Sequence, residues 1–125
     1  MTFQSSLYLD KTWLVVVTSK VRVDMSICSH RTLIDADALD DGTVKVRIRS
    51  NCKDVRDFAK RLGPLGPEDY VELRNSKIIQ SAIDARLTPT CLVPAAVFNV
   101  VWMEVGMISK SLALKEKAIC IQFEG

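Results

Sequence analysis

The alternation of apolar and polar positions near the start of the chain predicts a strand. In KVRVDM, residues 20–25, Val21, Val23 and Met25 alternate with charged side chains. A period of two residues is typical of a strand that buries one face and exposes the other.

Two further strands are predicted around a tight turn. RTLIDADALD at 31–40 is a weak strand candidate, and TVKVRIRS at 43–50 alternates strongly. DDGT at 40–43 lies between them, and an Asp-Gly pair favours a hairpin because glycine readily adopts a positive φ angle. The three segments therefore predict an antiparallel sheet.

The third strand carries a row of basic residues, Lys45, Arg47 and Arg49. Such a row is compatible with nucleic-acid binding, but Asp35 and Asp37 on the neighbouring strand are placed to pair across from it. The formal net charge is only +2, so the long-range field that attracts nucleic acid is weak. We expect a solvated, ion-paired sheet face and no nucleic-acid partner.

The pattern changes to a helical period after residue 51. Val55, Phe58, Ala59 and Leu62 follow the i, i+3, i+4, i+7 rule, which predicts an amphipathic helix beginning at Cys52 and stopping at Gly63-Pro64. A second helix is predicted over residues 75–87, with Ile79, Ala82, Ile83 and Leu87 buried. An apolar helix over residues 94–107 and a last strand over residues 117–123 follow.

The element order β-β-β-α-α-α-β predicts an α+β domain with the helices packed on one face of an antiparallel sheet. We assign residues 20–125 to this single domain and residues 1–19 to a leader or an additional strand. The chain has 125 residues, which suits one domain.

The apolar runs and the cysteines of the chain bear on the cellular location of the protein. The longest early apolar run, Leu14 to Val17, is too short to span a membrane, and it lacks the flanks of a signal peptide. We expect a cytoplasmic protein with no membrane partner, and the sequence leaves the oligomeric state open. In a reducing compartment the four cysteines are more often free thiols or metal ligands than a disulfide framework.

Three of the four cysteines lie at predicted element boundaries. Cys28 lies between the first two strands, Cys52 at a helix start and Cys91 just before the apolar helix. Helix starts stabilise a thiolate and lower the pKa of a thiol, so we expect Cys52 and Cys91 to be good ligands or nucleophiles. Cys120 lies in the middle of the predicted last strand, where a core role is favoured.

His30, the only histidine, lies two residues after Cys28. If this segment is extended, both side chains face one side. Three thiolates and an imidazole form a reasonable cage for Zn²⁺ or an iron–sulfur cluster, which predicts a metal site of Cys28, His30, Cys52 and Cys91. Cysteine also behaves as a small apolar residue, so purely structural cysteines remain the alternative.

The segments ICSH, DDG, SNCKDV and PTCLVPAAV occur in an order that resembles the U-type scaffold proteins of iron–sulfur cluster assembly, the NifU N-terminal family. The resemblance covers residues 20 to about 107. It implies the α+β scaffold architecture of NifU-like and SufE-like proteins, a cluster held by Cys28, Cys52 and Cys91, and a cluster donor or acceptor protein as partner. His30 and Thr90 stand where that family has other residues. The chain also resembles small archaeal and bacterial proteins with the same three cysteines.

Three functions therefore compete. The first is a scaffold-like protein that binds a metal ion or an iron–sulfur cluster. The second is a thiol-dependent redox enzyme with Cys52 or Cys91 as nucleophile, and the third is an interaction domain with structural cysteines. No phosphate-binding loop, HExxH motif or serine-triad signature is present, which argues against a nucleotide enzyme. The sequence leaves open whether the protein is an enzyme and favours a binding protein.

Overall fold

The computed structural model describes residues 18–125, so the predicted leader lies almost entirely outside the described residues. The α+β class and the order of three strands followed by helices are confirmed. The strands are β1 (Ser19–Met25), β2 (His30–Ala38) and β3 (Val44–Ser50), and the helices are α1 (Lys53–Leu62), α2 (Pro67–Tyr70), α3 (Lys77–Asp84), α4 (Val93–Glu104) and α5 (Lys110–Glu116).

The three strands form one antiparallel sheet in the order β1-β2-β3. Val23 lies opposite Thr32, and Thr32 lies opposite Ser50 in the next strand. The predicted hairpin between β2 and β3 is confirmed, because Gly42 has a φ of 88° in the turn. A side chain at that φ would strain the backbone.

One face of the sheet is covered by helices, as predicted. Helix α4 packs across β1 and β2, and α1 packs against β3. Ile34 of β2, Phe58 of α1 and Val97 of α4 are each at most 1% exposed. Burying side chains of this size contributes about 1.5–3 kcal/mol each, so the contact between α4 and the sheet is a main source of stability.

The opposite face is charged and ion-paired, again as predicted. Arg47 on β3 lies 2.7 Å from Asp35 and 2.6 Å from Asp37 on β2. The hydrogen bond from Arg47 and a second one from Thr18 lower the pKa of Asp37. Ion pairs at exposed positions contribute little to stability, so this face mainly keeps the sheet solvated.

Glu104 anchors the last turn of α4 to the sheet. One of its carboxylate oxygens accepts hydrogen bonds from the Ser19 hydroxyl at 2.8 Å and the Ser19 N–H at 3.3 Å, and the other accepts from the Ala38 N–H at 3.1 Å. A negative charge is unfavourable at a helix C-terminus, so these three bonds must outweigh that cost. They place the end of α4 beside the start of β1 and the end of β2.

Helix α3 differs from its prediction in length and in buried face. It spans Lys77–Asp84 rather than 75–87, and Ile83, which was expected to be buried, is 61% exposed. Ile78 is fully buried instead. The hydroxyl of Ser76 caps the helix by accepting from the Ile78 N–H at 3.1 Å. The buried face differs because it runs from Ile78 through Ser81 and Ala85, and a stripe that contains a serine and an alanine is not recognised by its apolar period.

The predicted last strand is not formed, and residues 117–125 have no regular secondary structure. Ile119, Ile121 and Phe123 are 84%, 66% and 83% exposed, and Cys120 is exposed rather than in the core. Alternation alone is insufficient because a strand also needs an edge to pair with. Helix α1 likewise begins at Lys53, one residue later than predicted, with Cys52 as its N-cap.

We predict that Glu104→Ala lowers the free energy of unfolding by about 1–3 kcal/mol, because it leaves the Ser19 hydroxyl and two backbone N–H groups without their acceptor. Urea unfolding followed by circular dichroism measures the change. The matched control is Glu116→Ala at an exposed position, for which we expect a change within about 0.5 kcal/mol. Equal changes in both variants would show that Glu104 is not an anchor.

Candidate thiol site

Three chain junctions meet at the end of the sheet opposite Glu104. The turn from β1 to β2 and the passage from β3 into α1 lie at this end because the strands are antiparallel. Helix α4 ends beside the start of β1, so its own start lies here too. Each junction carries one cysteine, and we call Cys28, Cys52 and Cys91 at this place the thiol end.

Cys28 lies in the exposed turn between β1 and β2. Its N–H donates to the carbonyl of Met25 at 3.2 Å, and its thiol lies 3.6 Å from the same oxygen. Ser29 follows with a φ of 60°, an uncommon conformation for a residue with a side chain. The turn is therefore held only by local bonds, and the Cys28 thiol faces solvent.

Cys52 is half-buried and held by a network at the N-cap of α1. Its N–H donates to the Ser50 hydroxyl at 3.1 Å, and that hydroxyl is 2.8 Å from the Thr32 hydroxyl. The Asn51 side chain accepts from the Arg31 N–H at 2.9 Å. These bonds tie the start of α1 to the start of β2 and give Cys52 a fixed position.

Cys91 is half-buried just before α4, where it packs against the core. Burial raises the pKa of its thiol, a hydrogen bond from the Val93 N–H lowers that pKa in part, and the charges of the Cys52 and Cys28 thiolates raise it further. The Cys52 and Cys28 thiols are therefore near enough to act on Cys91. The prediction that the helix start lowers the pKa of Cys91 is wrong, because burial outweighs that effect.

His30 is half-buried at the start of β2, opposite Met25. Strand alternation places it on the same side as Thr32, which is the side covered by helices. Cys28 lies in a turn and not in a strand, so the spacing rule that predicted a shared direction for Cys28 and His30 does not apply. The two residues are close along the chain and occupy the same end of the sheet.

The thiol end is not a preassembled metal site. Across residues 18–125, no group of three or more His, Cys, Asp or Glu side chains is placed to hold a metal ion. All four cysteines are free thiols, and Cys120 lies outside the cluster in the C-terminal segment. Cys52 and Cys91 pack against the core, whereas Cys28 lies in an exposed turn.

A groove of about 730 Å³ borders the thiol end and includes His30, Arg31, Arg49, Ser50 and Asn51. The sequence predicts Ser50 or Asn51 as the N-cap of α1, but the N-cap is Cys52. Ser50 and Asn51 instead accept from the Cys52 N–H and the Arg31 N–H. A signal was available, because Ser and Asn just before a helical period are typical cap residues. The residues of β2 that Ser50 and Asn51 contact depend on strand register, which a cap pattern in the sequence does not reveal.

Residues 19–116 match a family of unknown function, DUF6951. The chain belongs to the DUF6951 family. The matched range runs from the first residue of β1 to the last residue of α5 and contains Cys28, Cys52 and Cys91 but not Cys120. No curated protein and no solved structure matches the chain significantly.

We predict that iodoacetamide labels Cys91 several times more slowly than Cys120 at pH 8. The thiolate is the reactive form, and a raised pKa leaves less of the Cys91 thiol ionised at that pH. The rate at Cys91 should rise as the pH approaches and passes its raised pKa. Peptide mass spectrometry measures the rates, with exposed Cys120 as internal control. Faster labelling at Cys91 than at Cys120 would contradict this assignment.

Proposed function

We propose that Cys28, Cys52 and Cys91 bind a thiophilic metal centre, either an iron–sulfur cluster or Zn²⁺, with His30 as the candidate fourth ligand. The observation that supports this proposal best is the meeting of three cysteines from separate junctions at one end of the sheet. The charges of the Cys28 and Cys52 thiolates act on Cys91. A cysteine that serves only as a small apolar residue is expected in the core, whereas Cys28 is exposed.

The electrostatics of the thiol end favour a cation. Three thiolates repel one another, and burial at Cys91 adds to the cost of ionising them. A bound metal cation reverses that balance, because it neutralises the thiolates and displaces their protons. Thiolates are soft ligands that suit zinc and iron–sulfur clusters, so the donor set fits either group.

The exposure of Cys28 suits a centre that is loaded and released. Structural zinc sites are usually closed by four protein ligands, whereas this site has one ligand on an exposed turn and two fixed against the core. The resemblance to U-type scaffold proteins supports the same interpretation. We expect a cluster donor or acceptor protein to approach the side that carries Cys28.

A cytoplasmic location is part of the proposal, because a reducing compartment keeps thiols free for a metal. All four cysteines are unpaired. Within residues 18–125, no helix is long and apolar enough to cross a membrane. A thiol enzyme with Cys91 as nucleophile is less well supported, because the raised pKa of Cys91 makes it a poorer nucleophile at neutral pH.

The test is elemental analysis with an ultraviolet-visible spectrum of the anaerobically purified protein, before and after reconstitution with iron and sulfide. We expect near-stoichiometric zinc, or iron with sulfide and charge-transfer absorbance. Cys28→Ser, Cys52→Ser and Cys91→Ser should each lower the bound metal at least about tenfold, since removing one thiolate breaks a shared site. Iron with sulfide favours the scaffold function, and zinc alone favours a simple metal site.

Cys120→Ser is the matched control, because it removes a thiol outside the thiol end. It should retain the wild-type metal content. Metal-free protein in every preparation would refute the proposal, as would metal loss in Cys120→Ser alone. Circular dichroism of each variant separates loss of metal from loss of fold.

A further inference from the structure

The C-terminal segment, residues 117–125, exposes more apolar surface than a solvated tail needs. Ile119, Ile121 and Phe123 alternate with less apolar positions, and each is at least 66% exposed. A short segment with this pattern is typical of a strand that pairs with another chain. None of its side chains is buried among residues 18–125.

An apolar groove lies between α4 and the segments at residues 70–73 and 108. It has a volume of about 350 Å³, and Tyr70, Leu73, Phe98, Trp102 and Ile108 contribute most of its apolar wall. The indole N–H of Trp102 donates to the Tyr70 carbonyl at 2.6 Å, which holds the wall in place. Leu73 at the rim is 66% exposed. A groove of this size accommodates side chains rather than a whole helix.

We propose that the C-terminal segment of one copy docks in this groove of a second copy, so that two chains exchange their tails in a symmetric dimer. Charge supports this occupant. The tail begins with Lys117, and Glu72, which lines the groove beside Leu73, carries the opposite charge. Within residues 18–125, neither Lys117 nor Glu72 forms an ion pair.

A second copy satisfies both surfaces at once. Each chain offers one tail and one groove, so a two-fold arrangement covers two tails and two grooves and leaves no open end for further growth. Exposed apolar surface rimmed by polar residues marks an interaction site. This proposal does not depend on a metal at the thiol end, because the groove and the tail contain none of the three clustered cysteines.

The test is sedimentation equilibrium of the full chain over a range of concentrations, with reductant present so that Cys120 cannot form a disulfide. We expect a reversible monomer–dimer equilibrium. Phe123→Glu in the tail and Leu73→Glu in the groove should each weaken dimerisation at least tenfold. Ile83→Glu is the matched control, because it adds the same charge at an exposed apolar position of α3, and it should dimerise like the wild type.

Mixing the two variants tests the exchange directly. Leu73→Glu retains an intact tail and Phe123→Glu retains an intact groove, so a mixed dimer keeps one of the two contacts. The mixture should dimerise more tightly than either variant alone and less tightly than the wild type. Because both positions are exposed, circular dichroism should show an unchanged fold.

Three results would overturn the proposal. The first is a wild-type monomer at every concentration. The second is a dimer that either substitution, Leu73→Glu or Phe123→Glu, leaves intact, since the tail or the groove would then not be part of the interface. The third is a mixture that dimerises no better than its components.

Discussion

The contact between α4 and the sheet is the constraint on which the rest of the structure depends. The helix buries Val97 against β1 and β2, and Glu104 ties its last turn to Ser19 and Ala38. A helix of 12 residues is about 18 Å long, which covers most of the roughly 23 Å of the seven-residue β1. Fixing one end of α4 therefore fixes Cys91 at the other end of the sheet.

The same constraint explains why three cysteines from distant parts of the chain meet. Antiparallel pairing brings the β1–β2 turn and the end of β3 to one side, and α4 begins there. Packing holds Cys52 and Cys91, whereas only local bonds hold Cys28. Burial and the neighbouring Cys52 and Cys28 raise the pKa of the Cys91 thiol, so the thiolate form of Cys91 is disfavoured. A metal cation is the natural counter-charge for the three thiolates.

Much of the fold was predictable because it depends on local periods. Alternation defined the three strands, and the Asp-Gly pair defined the hairpin. The pairing of Arg47 with Asp35 and Asp37 was also predictable, because the hairpin places these residues on the same face of neighbouring strands. The face of α3 was not predictable in this way, because the buried stripe that starts at Ile78 passes through Ser81 and Ala85, which an apolar period does not recognise. The strand predicted around Ile121 is absent for another reason, because an alternating pattern does not supply a neighbouring strand to pair with.

The candidate site was predictable only in part. Chain order alone suggested that Cys28, Cys52 and Cys91 lie at one end of the sheet. The raised pKa of Cys91 was missed because burial depends on how α4 packs, which no local pattern contains. The position of His30 relative to Cys28 was also missed, since the segment turns where an extended chain was assumed.

The most direct test of the central claim counts sulfur ligands by X-ray absorption at the zinc or iron edge of the loaded protein. The account predicts three protein sulfur ligands at about 2.3 Å for zinc, or protein thiolates in addition to sulfide for an iron–sulfur cluster. It predicts one protein sulfur fewer in any Cys28→Ser, Cys52→Ser or Cys91→Ser protein that retains some metal. A first shell of only nitrogen and oxygen would contradict it, because the metal would then be bound elsewhere. An unchanged sulfur count in the variants would have the same meaning.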